Sequence, residues 1–97
     1  MEQVSVTTHR IEIGASVINV ISDLIVDWGV ECDLEETTRL VEDLEFESID
    51  VIQLVVALEQ QFQNRELEFH ELLMVDGRYV DDLTIKQIVD FLEFKLA

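Results

Sequence analysis

Ser48 is the residue with the clearest potential for chemistry, because its hydroxyl lies in a run of acidic residues directly before an apolar helical pattern. The neighbouring carboxylates are Glu42, Asp43, Glu45, Glu47 and Asp50. No other residue supplies the chemistry of a classical active site, and the carboxylates surround this hydroxyl in sequence, which favours a functional role. Serine is also among the best N-cap residues, so a purely structural role as a helix cap stays open.

Other candidate sites lack the spacing that their chemistry requires. His9, His70 and Cys32 show no zinc-ligand spacing, and residues 76–82 fail the alternating pattern of an EF-hand loop. Cys32 lies between two acidic residues, without the cations that would activate a thiolate. No serine, histidine and acid combination is organised by spacing, and there is no glycine-rich phosphate loop. We therefore expect neither a metal site nor a catalytic site.

The helix that positions Ser48 is predicted from apolar residues that recur every three or four positions. The stripe predicted to face the core consists of Val51, Leu54, Val55, Leu58 and Phe62. A second, shorter row of Ile49, Ile52 and Val56 lies beside Asp50, Gln53, Glu59 and Gln60. This row either emerges at the rim of a polar face or adds to the core, since one helical pattern does not separate the two.

The segment Asp43-Leu44-Glu45-Phe46-Glu47-Ser48-Ile49-Asp50 resembles the Asp-Leu-Gly-x-Asp-Ser-Leu-Asp signature of acyl carrier proteins. The similarity runs from about residue 40 to residue 62, and Leu83-Thr84-Ile85 resembles the entry to the family's last helix. The resemblance implies an all-α fold: an acyl-carrier-like four-helix bundle with a long loop between helices 1 and 2 and a short third helix. It also implies that Ser48 carries 4′-phosphopantetheine from coenzyme A and holds acyl groups as thioesters. Such a protein is a carrier and not an enzyme.

The same resemblance implies a partner-binding surface around Ser48. Its members are Glu47, Ile49, Asp50, Ile52, Val56 and Glu59. The expected partners are a phosphopantetheinyl transferase and acyl-activating, acyltransferase or ketosynthase-type enzymes with basic docking surfaces. Acidic residues at the rim set encounter and orientation, while a few central apolar residues supply most of the affinity.

Four positions depart from the family pattern. Glu45 stands where glycine is usual, so a left-handed backbone there carries a cost. Glu47 replaces the aspartate before the serine, and Gln53 and Gln60 replace glutamates of many fatty acid carriers. These changes indicate a specialised carrier of fatty acid, polyketide or related biosynthesis. A peptidyl or aminoacyl carrier, and an acidic helical adaptor that uses Ser48 only as a cap, are the alternatives.

The first half of the chain is predicted to contain a helix and a long connection. Residues 1–8 are assigned to a loose tail, and a helical pattern begins at Ile11 and ends at Gly29. Its stripe comprises Val17, Ile18, Ile21, Leu24, Ile25 and Trp28, with Trp28 as a plug of the core. Asp33-Leu34-Glu35-Glu36 has the form of a capping box, which predicts a short helical turn inside the connection. Leu40, Val41 and Leu44 are expected to pin this connection to the core.

The last third of the chain predicts two further helices. Phe69, Leu72 and Leu73 indicate a short one that ends near Met74 and Val75, and Asp76-Gly77 is a turn signal. Thr84 and Gln87 form a capping box that opens a helix whose apolar face is Ile85, Ile88, Val89, Leu92 and Leu96. Residues 69–83 are interpreted as a lengthened loop; the alternative is a reshaped wall of the acyl pocket.

Composition sets limits on class and location. The 97 residues form one domain, and a net charge of −16 excludes binding to nucleic acid and to anionic membranes while it attracts basic protein surfaces. The charge also favours a monomer. A single cysteine, no apolar run long enough for a membrane span and no signal-peptide pattern after Met1 predict a cytoplasmic protein.

Overall fold

The chain folds mainly into helices, as a computed structural model shows. It describes the backbone of residues 2–29, 33–64 and 66–96, and the side chains of residues 10–29, 33–64 and 66–96. Within these ranges the elements are α1 (Glu2–Asp27), α2 (Ser48–Gln61), α3 (His70–Leu73), β1 (Met74–Val75), β2 (Arg78–Tyr79) and α4 (Ile85–Leu96). The predicted helical class is confirmed, with the addition of a two-stranded sheet. None of the described helices is both long enough and apolar enough to cross a membrane.

Helix α1 is longer than predicted. It begins at Glu2, so the loose tail predicted for residues 1–8 is wrong for the backbone of residues 2–8, while Met1 lies outside the described residues. No proline or glycine separates Glu2 from Gly14, so nothing in this stretch ends a helix. The helix does end where expected, because Gly29 takes a left-handed conformation with a φ of +74°.

The core forms where α1 packs against α2 and α4. The predicted stripes face it: Val17, Ile21 and Ile25 from α1, Leu54 and Leu58 from α2, and Ile85, Ile88, Val89 and Leu92 from α4 are buried. Trp28 differs from its prediction, because 39% of its surface is exposed and its ring meets the edge of Phe46 at a centroid distance of 5.1 Å. Its side chain packs at the edge of the core and is only partly buried.

The long connection between α1 and α2 is held by hydrogen bonds to the segment before α4. The Leu40 N–H donates to the Leu83 carbonyl at 2.9 Å, and the Ile85 N–H donates to the Thr38 carbonyl at 3.0 Å. Leu40 and Leu44 are buried as predicted, whereas Val41 is 43% exposed.

The helical turn predicted at residues 33–36 is absent from the described part of this connection. The Glu35 N–H donates to the Thr38 hydroxyl at 2.9 Å, so Glu35 is engaged by a residue downstream of the proposed capping box. Residues 33–35 are irregular, residues 36 and 37 form a turn, and a second turn follows at residues 40–44.

The two short strands form a hairpin directly after α3. Met74 pairs with Tyr79 and Val75 with Arg78, which leaves Asp76 and Gly77 as a two-residue loop. Both loop residues have positive φ, +55° and +78°, as a type I′ turn requires. The predicted turn is confirmed, but Met74 and Val75 form a strand and not the end of a helix.

Candidate functional site

The residue that caps α2 is Glu47, and Ser48 is the first helical residue. The Val51 N–H donates to the Glu47 carbonyl at 3.1 Å, which is the first bond of the helix. The Glu47 N–H donates to Asp50 Oδ2 at 2.8 Å, so a carboxylate of the first turn satisfies the backbone at the cap. The interpretation of Ser48 as the N-cap is therefore wrong. Glu47 and Asp50 cap the helix instead, at an end where the helix dipole favours negative charge.

The side chain of Ser48 is exposed to solvent. No side-chain hydrogen bond joins it to any residue that the structure describes. Ser48 lies in the first turn of α2, among residues that are exposed to solvent. The contacts of the described residues therefore leave its hydroxyl accessible to other molecules.

A left-handed turn leads the chain into α2. Glu45 has a φ of +59°, its N–H donates to the Val41 carbonyl at 3.0 Å, and the Phe46 N–H donates to the Leu40 carbonyl at 2.9 Å. This turn drives Phe46 into the core, where it is 3% exposed, and places Glu47 at the cap. Glu45 therefore has a backbone conformation that favours glycine, and we expect it to carry a cost because the residue has a Cβ.

A cavity of about 530 Å³ opens beside Ser48, between the start of α2 and the chain that leaves the hairpin. Its apolar walls are Leu40, Val41, Phe46, Val51, Ile52, Leu73, Tyr79, Val80 and Leu83; Glu47, Ser48, Asp81 and Asp82 are its polar lining. Residues 69–83, interpreted above as a lengthened loop, contain α3 and the hairpin. Leu73 and residues 79–83 form one wall of this cavity.

Asp82 fastens that wall to the loop before α2. Its Oδ1 accepts the N–H groups of Val41 and Leu83, both at 2.8 Å, and its Oδ2 accepts the Glu42 N–H at 3.1 Å. Partial burial raises the pKa of the carboxyl, but these three backbone donors outweigh burial and hold the pKa below its ordinary value. Asp82 is thus a charged clamp between the two sides of the cavity, and sequence reasoning missed it.

The second apolar row of α2 lies at the surface. Ile49, Ile52 and Val56 are 62%, 60% and 46% exposed, which confirms the rim interpretation and excludes the core interpretation. We call these three residues the apolar rim of α2. Among the acidic residues predicted to bind partners, Glu47 is exposed beside the rim, whereas Asp50 and Glu59 are half-buried.

A second group of potential metal ligands was missed from sequence. Donor atoms of Glu68, His70 and Glu71 lie within 4.8 Å of one another. Lys95 forms an ion pair with Glu71 that lowers the pKa of this carboxyl, so an ammonium already competes for the oxygen atoms. The side chains of His9 and Cys32, considered above as partners of His70, lie outside the described residues.

Comparison with known proteins returned no match: no family model, no curated protein and no solved structure matches the chain. The likeness to acyl carrier proteins is therefore a resemblance of residues 40–62 and the start of α4. Function has to be inferred from Ser48, the cavity beside it and the apolar rim.

Proposed function

We propose that the chain is an acyl carrier protein, folded as an acyl-carrier-like four-helix bundle, with 4′-phosphopantetheine on Ser48. The observation that carries the proposal is an exposed hydroxyl, without a hydrogen bond to the described residues, at the mouth of an apolar cavity. In the loading reaction Ser48 Oγ attacks the phosphate of coenzyme A that bears the pantetheine arm. A phosphodiester forms on Ser48, the pyrophosphate bond breaks and the nucleotide leaves. The transferase takes up the hydroxyl proton.

The surroundings of Ser48 support a carrier over a catalyst. Glu47 and Asp50 satisfy the helix start without the serine, so its hydroxyl is free for modification. Among the residues that the structure describes, neither an imidazole nor an ammonium lines the cavity, and three carboxylates and the Ser48 hydroxyl lie in its lining. The arm would hold an acyl group as a thioester, and the apolar walls would shelter its chain from water.

The apolar rim and the charge support docking to basic partner enzymes. The net charge of −16 attracts such surfaces over long range, and Ile49, Ile52 and Val56 supply apolar contact at the centre. The proposed partners are a phosphopantetheinyl transferase and acyl-activating, acyltransferase or ketosynthase-type enzymes. We propose a monomeric, cytoplasmic carrier in fatty acid, polyketide or related biosynthesis, with Gln53 and Gln60 indicating a specialised pathway.

Intact-protein mass spectrometry tests the attachment. The protein is incubated with coenzyme A and a broad-specificity phosphopantetheinyl transferase, alongside Ser48→Ala and the matched control Ser22→Ala from α1. We expect the mass gain of one phosphopantetheine on the wild type and on Ser22→Ala, and none on Ser48→Ala. The absence of any gain with several transferases of different specificity would overturn the proposal.

Docking is tested with a charge placed in the apolar rim. Val56→Asp should slow loading of Ser48 by at least tenfold while the helical circular dichroism stays unchanged, because a carboxylate at the centre of an interface must be desolvated. Val26→Asp is the control, since Val26 is 67% exposed and lies on a different helix, α1. Equal loading rates for the two variants would contradict a docking role of the rim.

An acidic adaptor is the second candidate, because the exposed apolar rim would also fit a basic protein without any cofactor. The version in which Ser48 serves as the cap has less support, since Glu47 is the residue at that position. An adaptor would bind its partner equally well as wild type and as Ser48→Ala. A peptidyl or aminoacyl carrier would be recognised by the mass of its natural thioester.

A further inference from the structure

A second cavity, of about 400 Å³, opens between the second half of α2 and the segment that contains α3 and the hairpin. Ser48 does not line it, so what binds there does not depend on modification of that serine. We call it the second cavity. Its lining residues are Val55, Glu59, Glu68, Phe69, His70, Leu73, Met74 and Tyr79.

The charges in the lining of the second cavity are negative. Glu59 comes from α2 and Glu68 from the chain before α3, so two separate elements each contribute a carboxylate. Among the residues that the structure describes, no lysine or arginine lines the cavity. Because opposite charges attract, a cationic group is the ligand that these two carboxylates favour.

The hairpin contributes an aromatic ring and a thioether to the second cavity. Tyr79 pairs with Met74 across β1 and β2, so their side chains are neighbours on one face of the hairpin. Val75 and Arg78 form the adjacent pair, whose side chains lie on the opposite face, and neither residue lines the cavity. Tyr79 is 76% exposed, so its ring is accessible to a ligand.

The combination of carboxylates, an aromatic ring and apolar side chains matches the chemistry of an arginine side chain. A planar guanidinium donates several N–H groups to carboxylates and is attracted to the face of an aromatic ring. Its methylene stem gains from contact with apolar side chains. A lysine ammonium fits less well, because it is more strongly hydrated and has no planar fork.

The second cavity also adjoins the apolar rim of α2. Val55 lines the cavity, and the next residue, Val56, belongs to the rim and is 46% exposed. A protein that covers the rim therefore brings its own side chains to the cavity. The net charge of −16 favours a partner whose surface is basic.

We propose that the second cavity binds an arginine side chain of a partner protein. Glu59 and Glu68 accept hydrogen bonds from the guanidinium, and the Tyr79 ring stacks on it. Val55 and Met74 contact the methylene stem. The inference extends the docking part of the proposed function and does not require that Ser48 is modified.

The cavity is tested with Nα-acetyl-arginine N-methylamide, which presents the side chain without terminal charges. Its affinity is measured by NMR chemical-shift titration of the ¹⁵N-labelled wild type and of Ser48→Ala, at physiological ionic strength. The matched probes are the lysine analogue and the uncharged citrulline analogue. The arginine probe should bind about threefold more tightly than the lysine probe, and the citrulline probe should bind most weakly. The largest shifts should fall on Glu59, Glu68 and Tyr79.

Single substitutions locate the binding. Glu59→Gln, Glu68→Gln and Tyr79→Ala should each weaken binding of the arginine probe about threefold, because each removes one contact. Glu66→Gln is the control for charge, since Glu66 is exposed near Glu68 but does not line the cavity. Val75→Ala is the control for the hairpin, because Val75 lies on its opposite face. Both controls should keep the wild-type affinity.

Two results would overturn the inference. Equal losses for Glu66→Gln and Glu68→Gln would show that the probe responds only to net charge. Equal affinities for the arginine and lysine probes would show that the cavity does not recognise a guanidinium. Because Glu59 and Glu68 belong to different elements, one of the two variants still tests the cavity if the other folds poorly.

The outcome is separable from that of the proposed function. If transferases load Ser48 but the probes do not discriminate, the carrier stands and the arginine site fails. If the cavity selects the arginine probe but Ser48 is never loaded, the arginine site stands as part of an adaptor and the carrier function fails.

Discussion

Helices α2 and α4 have similar apolar periodicity but use it differently. The apolar face of α4 is buried in the core, because its residues are at most 2% exposed: Ile85, Ile88, Val89 and Leu92. In α2, Leu54 and Leu58 are buried to the same degree, yet the apolar rim stays in water. The fold does not need the rim, and an exposed apolar row in a strongly acidic protein is typical of a surface that contacts partners.

The two helices also begin differently. At α4 the Gln87 N–H donates to Thr84 Oγ1 at 3.2 Å and the Thr84 N–H donates to Gln87 Oε1 at 2.8 Å, so the hydroxyl is part of the cap. At α2 the cap is made by Glu47 and Asp50, and the hydroxyl of Ser48 is left out. The hydroxyl of Thr84 therefore contributes to the stability of α4, whereas the hydroxyl of Ser48 has no such role in the described part of the chain.

The largest expected contrast between the two helices is in the cost of removing an apolar side chain. Leu92→Ala should lower the free energy of unfolding by about 3 kcal/mol because it leaves a cavity in the core, whereas Ile52→Ala should change it by less than about 0.5 kcal/mol. Urea denaturation monitored by circular dichroism measures both. A loss of similar size for Ile52→Ala would place the rim in the core and break the comparison.

Asp82 connects the segments that precede α2 and α4, and its replacement should have the second-largest effect on the free energy of unfolding. Asp82→Asn should cost about 2 kcal/mol, because a charged acceptor of three backbone N–H groups becomes a neutral one. Asp81→Asn is the control, since Asp81 is an exposed neighbour that lines the same cavity. Urea denaturation at pH 7 should separate the two variants, and equal stabilities would contradict the clamp.

The pH dependence sharpens the role of Asp82. Its pKa in the folded protein is below the ordinary value of 3.8, since the backbone donors outweigh the burial that raises it. A depressed pKa stabilises the fold fully above the ordinary value, and this stabilisation is lost as the pH falls through the folded pKa. The difference between wild type and Asp82→Asn should therefore be constant from pH 7 to about pH 5 and shrink below pH 4. A difference that grows on acidification would contradict this assignment.

What could be predicted from the sequence depended on how far apart the interacting residues lie. The Thr84–Gln87 capping box was predictable because both partners lie within one turn of α4. The same pattern at residues 33–36 was wrong, since Thr38 takes the Glu35 N–H while its carbonyl bonds the start of α4. These hydrogen bonds of Thr38 form only when the chain folds, so the local sequence pattern does not reveal them.

For the site, periodicity located the apolar rim, and the acidic run located Ser48. A pocket wall formed by residues 69–83 was only an alternative in the sequence analysis, because residues 79–83 lie some thirty positions farther along the chain than Ser48. The Asp82 bonds to Val41 and Glu42 leave no local pattern for the same reason. Glu47 was missed as the cap because serine is the stronger N-cap residue by type, and the outcome was decided by the Asp50 carboxylate.

The hydroxyls of Thr84 and Ser48 should differ in their contribution to the free energy of unfolding, by less than the changes above. Thr84→Ala should lower the free energy of unfolding by about 1 kcal/mol because it removes a cap, while Ser48→Ala should cost no more than a few tenths, roughly 0.3 kcal/mol. Thermal and urea denaturation of the two variants measure the difference. A cost near 1 kcal/mol for Ser48→Ala would show that its hydroxyl supports the helix after all, and would weaken the case for a free nucleophile.

The smallest expected effect concerns the backbone that enters α2. Glu45 is left-handed, with a φ of +59°, so Glu45→Gly should raise the free energy of unfolding by about 0.5 kcal/mol: relief of the Cβ strain exceeds the added freedom of the unfolded chain. Glu45→Ala removes the same charge but keeps the Cβ, so it should give no such gain. If both variants stabilise the protein equally, the gain comes from reduced charge repulsion. If only the glycine variant does, the chain keeps a strained residue directly before its candidate attachment site, and faster loading of that variant by a standard transferase would show that Glu45 limits recognition.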